Sequence, residues 1–445
     1  MRDATRRLLV ELYETAVAAA HPDQCLKPLL PDVPASGRLV ILGAGKAAAA
    51  MATTAETHYR ERGELERVVG MLTAPYGYAA ALPGGPPSHL KLIEGRHPTP
   101  DEGSQRAALA ALEYAGTTGP EDLLLVLLSG GASALWAAPA PGLDLADKTA
   151  LTRGLLKSGA DIHEMNAVRR HLSRIKGGRL ARATNGAAVL TLAISDVPGD
   201  DPATIGSGPT VPDPTTLADA RAILARRRSR MEALGIAVPA AIDAALFDAA
   251  NETPKPGDPA FSRCRYEIIA TPARALEQAA ALARRSGYDV VDLGDALTGE
   301  ARDVAFAHAD MALQALRDGR KLAIVSGGEL EVTVRHRGGR GGRSQEYALA
   351  FATRIGGHSG ISAIAADTDG IDGGEGHVCD PAGAIVGADT VARGAERHLN
   401  AQKFLDENDA TSFFEPLGDL VVRGPTHTNV NDFRAILVDG TGDLG

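Results

Sequence analysis

Six large aliphatic residues in a row, Leu123-Leu-Leu-Val-Leu-Leu128, bounded by Asp122 and by Ser129-Gly130-Gly131, constrain the fold more than any other stretch. So short and so wholly apolar a run reads as a β-strand buried on both faces, which is the situation inside a parallel sheet covered by helices. Two other runs repeat the pattern. Gly37-Arg-Leu-Val-Ile-Leu42 ends in Gly43-Ala-Gly45-Lys46 and enters an alanine-rich helix, and Ala187–Ile194 ends in Ser195-Asp196. Strand, glycine turn and helix open a βαβ unit. Ligands of open parallel sheets lie beyond the carboxyl ends of the strands, so these turns carry the first candidate residues.

The alternation resumes after the proline-rich stretch Asn251–Pro259, which marks a crossing between domains 1–255 and 256–445. Strands are expected at 265–270, 289–292, 321–325 and 361–366, with helices at 273–285 and 300–316, implying a second, largely parallel sheet. Leu330–Arg335 alternates like a half-solvated strand. Met165–Arg179 reads as a helix with Arg170 and Arg174 on one face, and its charges from Arg169 onward are all positive, as beside an anionic substrate.

Gly43-x-Gly45-x-x-Ala48 matches a dinucleotide fingerprint, but Val68–Ala74 lacks the acidic residue that should follow it. Lys46 is more informative, because a cation at a helix N-terminus opposes the helix dipole unless an anion sits there. Ser129, Gly130 and Gly131 form a second candidate phosphate or hydroxy-acid cradle. A third lies at Arg337-Gly-Gly339-Arg340-Gly341-Gly342-Arg343, where glycines let backbone N–H groups turn toward a phosphate. Asp367, Asp369 and Asp372 follow a buried strand. They fail the calcium-loop pattern, since residue 372 stands where glycine is required, and suit magnesium with phosphate ligands better. Asp196 competes with Asp200 and Asp201 for a catalytic role, and Asn429 lies in a polar loop before the last strand.

Composition excludes several classes. A net charge of -10 and only 4% aromatic residues argue against nucleic acid as a partner. Three scattered cysteines make no disulfide framework and fit a reducing cytoplasm, and no apolar stretch of roughly 18 residues offers a membrane span.

Several motifs recur together in one order: Leu42-Gly-Ala-Gly-Lys46, Leu128-Ser-Gly-Gly-Ala-Ser-Ala134, Asn166-x-Val-Arg through Lys176-Gly-Gly178, Ser195-Asp-Val-Pro-Gly-Asp200, Gly206-Ser-Gly-Pro-Thr210 and Gly338–Glu346. This set resembles the glycerate 2-kinase family, and Asp367–Gly373 with Gly424–Asp432 looks like its C-terminal MOFRL-type region. The resemblance implies an α/β protein with an N-terminal Rossmann-like domain, a smaller C-terminal α/β domain, and an active site in the cleft between them. It also implies transfer of a phosphoryl group from ATP, with Mg2+, to the 2-hydroxyl of D-glycerate, giving 2-phosphoglycerate and ADP. Carried over residue by residue, it points to Lys46, Asp196, Arg343, Asp369 and Asn429. With the residue-level reading, Lys46, Asp196 and Arg343 are the catalytic candidates, and Asp369, Asp367 and Asp372 the metal candidates. Gly43, Gly45, Ser129, Gly130, Gly131, Arg170, Gly339, Gly341, Gly342 and Asn429 are the substrate or nucleotide contacts. Monomer and homodimer both stay open. The rival readings are a nicotinamide-dependent hydroxypyruvate reductase and a non-catalytic sensor of a sugar acid or nucleotide.

Overall fold

All three apolar runs become neighbours in one sheet. In the computed structural model, which describes residues 3–336, 338–373 and 376–440, strands β1 (Leu39–Ala44), β2 (Val68–Pro75), β3 (Lys91–Gly95), β4 (Leu123–Leu128), β5 (Ala188–Ile194) and β6 (Cys264–Ala270) take the order β3-β2-β1-β4-β5-β6. β1 to β5 pair in parallel, and Ala44, Leu128 and Ala193 share one register row near their carboxyl ends. The chain winds outward from β1 through β3 and then returns to start β4 on the other side of β1. This places the topological switch, where a doubly wound sheet opens a crevice, between the Lys46 turn and the Ser129 turn.

Two units emerge, and their boundaries differ from the expected break near residue 255. One runs from Leu26 to Ile269; the other joins the segment up to Cys25 with the chain from Ala270 onward. The later break follows because β6 adds to the edge of the first sheet. Helix α1 (Asp3–Ala19) joins the C-terminal unit: Tyr13 Oη donates to the Asp367 carbonyl at 2.9 Å, and Arg6 pairs with Asp419 at 2.9 Å.

In the parallel-sheet unit the helices that matter below are α2 (Ala48–Glu61), α3 (Glu102–Gly116), α4 (Leu145–Lys157), α5 (Ile162–His171) and α6 (Leu217–Ala233). Helices α3, α4 and α6 each begin with a reciprocal capping box, at Asp101/Ser104, Asp144/Asp147 and Thr216/Asp219. The helix expected to reach Arg179 ends at His171, and Gly177 and Gly178 beyond it adopt positive φ. Arg174 therefore lies outside the helix, and the expected pairing of Arg170 and Arg174 on one face does not form.

The second sheet, with β7 (Asp289–Asp292), β8 (Leu322–Ser326), β9 (Ile361–Asp367), β10 (Gly383–Gly387), β11 (Leu420–Val421) and β12 (Asp432–Val438), is ordered β11-β10-β9-β12-β8-β7. It is mixed, where a largely parallel sheet was expected. β7 and β8 are parallel, but β12 inserts antiparallel between β8 and β9. Helices α7 (Pro272–Arg285), α8 (Ala301–Arg317) and α9 (Arg343–Arg354) belong to this unit. Leu330–Arg335 makes only an isolated bridge, Glu300 to Glu331. Side chains take its backbone donors: Leu330 N–H reaches Asp432 Oδ2 at 3.3 Å, and Thr333 N–H reaches Glu300 Oε2 at 3.1 Å. Among the described residues no helix is long and apolar enough to cross a membrane.

Glu56, on α2, ties the loop before β3 to the sheet. Its carboxylate accepts from the N–H groups of Ser88 (3.0 Å), His89 (2.8 Å) and Leu90 (3.0 Å) and from Ser88 Oγ (2.7 Å). Burial alone would push this carboxyl up, but the hydrogen bonds outweigh it and hold it at about 2. Because the folded-state value is depressed, the stabilisation is fully present above the ordinary glutamate value and is lost as pH falls from there toward 2. Glu56→Ala, which removes the shared acceptor of three N–H groups, of which that of Leu90 is on a buried residue, is expected to cost about 2 kcal/mol at neutral pH. Denaturant titrations should show the gap between variant and parent closing as pH falls below about 4; equal stability at pH 7 would contradict the clasp.

Candidate functional site

At the switch between β1 and β4, close backbone approach dictates the residue types. Gly45 has φ of 138°, and a Cβ there would lie 2.0 Å from Ser129 Oγ. That hydroxyl accepts from Ala47 N–H at 3.0 Å, while Lys46 N–H donates to the Gly130 carbonyl at 2.8 Å. Gly43 is equally constrained, since a Cβ would meet the Leu127 carbonyl at 2.6 Å. The two glycine turns are thus locked together, with Lys46 partly exposed at their junction. A Cβ on Gly131 would lie 2.9 Å from the His97 ring and 3.6 Å from Lys46 Cγ. Burial, then the Lys46 charge, pushes His97 down to about 3, so the imidazole beside Lys46 is neutral. Asp196 follows β5, the next strand in the same register row, and is half-buried. The structure therefore gathers Lys46, Ser129–Gly131 and Asp196 at adjacent strand ends.

Arg170, expected at the substrate, sits elsewhere. It is buried, pairing with Asp213 at 3.1 Å. Asp213 also accepts from Thr253 Oγ1 at 3.1 Å and Thr215 Oγ1 at 2.8 Å, so this cation serves the packing of a buried polar cluster. Its neighbour Arg169 points the other way, and its Nη2 donates to Ser133 Oγ at 2.6 Å.

In the mixed-sheet unit Arg343 opens α9 and meets three carboxylates. Nε donates to Asp432 at 2.7 Å, Nη1 to Glu329 at 3.0 Å and Nη2 to Asp367 at 2.9 Å. Burial alone would weaken its hold on the proton, but Asp432, Asp367 and Glu329 reverse that and push it up. Asp432, fully buried, also pairs with Arg434 Nη1 at 3.0 Å. Asp432, absent from the sequence-derived candidates, is therefore central to this site. Its only sequence signal was its place at the end of the Gly424–Asp432 motif.

The glycine-arginine loop serves its own chain. A Cβ on Gly339 would lie 2.4 Å from the Asn408 carbonyl, and one on Gly342 would lie 2.3 Å from Asp372 Oδ1. Gly341 has φ of 137°, and Arg340 turns outward to Glu415. Arg337 lies outside the described residues. Just beyond the loop, the α9 N–H groups donate to Asp372, from Ser344 at 3.0 Å and Gln345 at 2.8 Å. An internal carboxylate thus fills the helix N-terminus. Burial pushes Asp372 up to about 7 despite those two bonds.

Both Asp372 oxygens thus accept from the first turn of α9. Among the described residues no group of three or more His, Cys, Asp or Glu side chains is arranged to hold a metal ion. Asp369 and Asp367 remain as hard oxygen donors: Asp369 N–H donates to Asp367 Oδ1 at 3.1 Å, and Asp369 Oδ1 accepts from Ile371 N–H at 2.8 Å. One or two carboxylates fit magnesium that takes its other ligands from water and phosphate. Asn429 is buried, its Oδ1 accepting from Asn431 N–H at 3.3 Å.

Two family models match the chain: a domain of unknown function, DUF4147, over residues 8–243 and the MOFRL family over residues 322–432. An Agrobacterium vitis protein provisionally named hydroxypyruvate reductase is 44% identical, covering 98% of this chain and 95% of that protein. A glycerate 2-kinase of Pyrococcus horikoshii is 36% identical, covering 90% of this chain and 88% of its own. The crystal structure of a glycerate kinase from Thermotoga maritima superposes with a TM-score of 0.82 at 32% identity, covering 98% of this chain and all of that one. Motif order, doubly wound sheet and full-length likeness agree: the chain belongs to the glycerate 2-kinase family, built from a DUF4147 region followed by a MOFRL region.

Proposed function

We propose that the protein transfers the γ-phosphoryl group of ATP to the 2-hydroxyl of D-glycerate. The observation that carries this reading is the likeness, over nearly the whole chain, to proteins named glycerate 2-kinase and glycerate kinase. In the reaction the glycerate O2 bonds to the γ-phosphorus while the bond to the β,γ-bridging oxygen breaks, the hydroxyl proton passes to a base, and ADP departs. Lys46, at the sheet's switch point, suits neutralisation of phosphate charge. Asp196, half-buried one strand further along, suits orientation of the hydroxyl and acceptance of its proton. Magnesium, when bound, supplies further charge neutralisation on the phosphates; Asp369 with Asp367 would hold it.

Arg343 suits the glycerate carboxylate. Two of its partners are buried and fixed, whereas the Glu329 side chain is 57% exposed. Glu329 is thus the exchangeable partner, and a substrate carboxylate offers Nη1 the same chemistry. The reductase name of the Agrobacterium vitis relative finds less support here. β2 ends in Thr73-Ala74-Pro75, without the acidic residue a nicotinamide ribose would engage.

Purified protein with ATP and magnesium should release ADP only when D-glycerate is added. ADP formation indifferent to glycerate, together with hydroxypyruvate-dependent oxidation of a reduced nicotinamide, would replace the kinase with the reductase. Glu329→Gln removes the exchangeable competitor at Arg343, so the KM for D-glycerate should fall about two- to fivefold, the range of an exposed ion pair. A raised KM in steady-state kinetics would instead make Glu329 a support of substrate binding.

A further inference from the structure

Beside the Ser129-Gly130-Gly131 turn, the parallel-sheet unit contains a cavity of about 240 Å³ that no function discussed above uses. Lys148, Arg153, Arg169 and Lys176 line it with Ser133 and Pro98, and no acidic residue is among the described residues that line it. Lys148 comes from the inner face of α4, in line with buried Leu151 and Leu155. It is about nine-tenths buried, and among the described residues its Nζ has no hydrogen-bond partner. Lys176 Nζ donates to the Ser133 carbonyl at 2.7 Å and to Ser133 Oγ at 3.0 Å, the same hydroxyl that Arg169 Nη2 reaches. Arg169 Nη1 also donates to Asn166 Oδ1 at 3.4 Å. Two cations, Arg169 and Lys176, therefore share neutral oxygens alone, and the third, Lys148, is left without any.

Burying unpaired like charges is costly, and the Arg169 charge weakens the hold of both lysines on a proton. Burial, with Arg169 next, pushes Lys148 down to about 7, and Lys176 is lowered by burial and by both Arg169 and Lys148. Lys148 on an otherwise apolar face of α4, with Arg169 of α5 and Lys176 beyond it, makes a set that an anion would complete. A singly charged carboxylate would leave most of the positive charge uncompensated, whereas phosphoryl groups carry enough charge and enough acceptor oxygens for all three donors. The volume is small for a whole nucleotide and suits a phosphate-bearing head.

We propose that this cavity binds the phosphoryl groups of a small molecule through Lys148, Arg169 and Lys176. The source of those groups rests on the kinase reading: either the polyphosphate chain of the donor or the phosphate of the phosphorylated product. Calorimetric titration of the full-length protein with tripolyphosphate and, separately, with 2-phosphoglycerate tests it, comparing the parent with Lys148→Met and Arg169→Gln. Lys148→Met removes an unpaired buried charge, so its Tm should equal or exceed the parent's while the dissociation constant for one of the probes rises about tenfold or more. Loss confined to tripolyphosphate assigns the donor, and loss confined to 2-phosphoglycerate assigns the product. Where Lys148→Met does not fold, Arg169→Gln alone decides by the same criterion. Unchanged affinity for both probes in the folded variants, or no binding of either probe to the parent at millimolar concentration, overturns the site. Anion binding that the variants lose, in a protein without glycerate-dependent ADP formation, upholds the site and overturns only its place in a kinase reaction.

Discussion

Asp432 is the constraint on which the mixed-sheet unit turns. It is a fully buried carboxylate held between Arg343 and Arg434, at the first residue of the strand that closes the sheet. Breaking such a buried set by removing one partner costs about 3–5 kcal/mol, because the remaining charge is stranded. Much local structure follows from satisfying it. Arg434 also donates to Ser326 Oγ at 3.2 Å, anchoring β12 to β8, and Arg343 carries the start of α9 to the end of β9 through Asp367. Asp372 then caps α9, and Gly342 must lack a side chain for that cap to fit. Arg343 and Asp367 are thus held in one chain of charges with Asp432 and Arg434, leaving Glu329 as the exposed member able to exchange.

In the parallel-sheet unit the corresponding constraint is steric. Ser129 Oγ bonds Ala47 N–H only because Gly45 has no Cβ, so the turns after β1 and β4 fit together as one piece. That piece lies where strand order reverses, which is where such sheets open to ligands. Lys46 and Asp196 come from strand ends on either side of β4, so backbone register sets their positions more than loop conformation does.

The parts of this legible in sequence were those written in short-range pattern. Unbroken aliphatic runs announce buried parallel strands, and the turns that end them hold Lys46, Ser129 and Asp196. What stayed hidden depends on distant partners. Asp372 looks like a metal ligand until the N–H groups of Ser344 and Gln345, far away in the chain, are seen to occupy it. Arg169 and Arg170 are indistinguishable as letters; helix phase sends one to Asp213 and the other to Ser133. Only packing turns Lys148 inward, onto the buried face of its helix. The insertion of β12 between β8 and β9 is a pairing across more than a hundred residues of chain from β8, which no local alternation encodes.

The family's chemistry comes down to which oxygen of glycerate receives the phosphoryl group. Proton-coupled phosphorus NMR of the product formed from D-glycerate and ATP reads this directly. Phosphorylation at the 2-hydroxyl places one proton on the carbon bearing the ester, so the account predicts a doublet. A triplet, from a phosphate on the terminal CH2 oxygen, or no new phosphate-ester resonance at all, would contradict it.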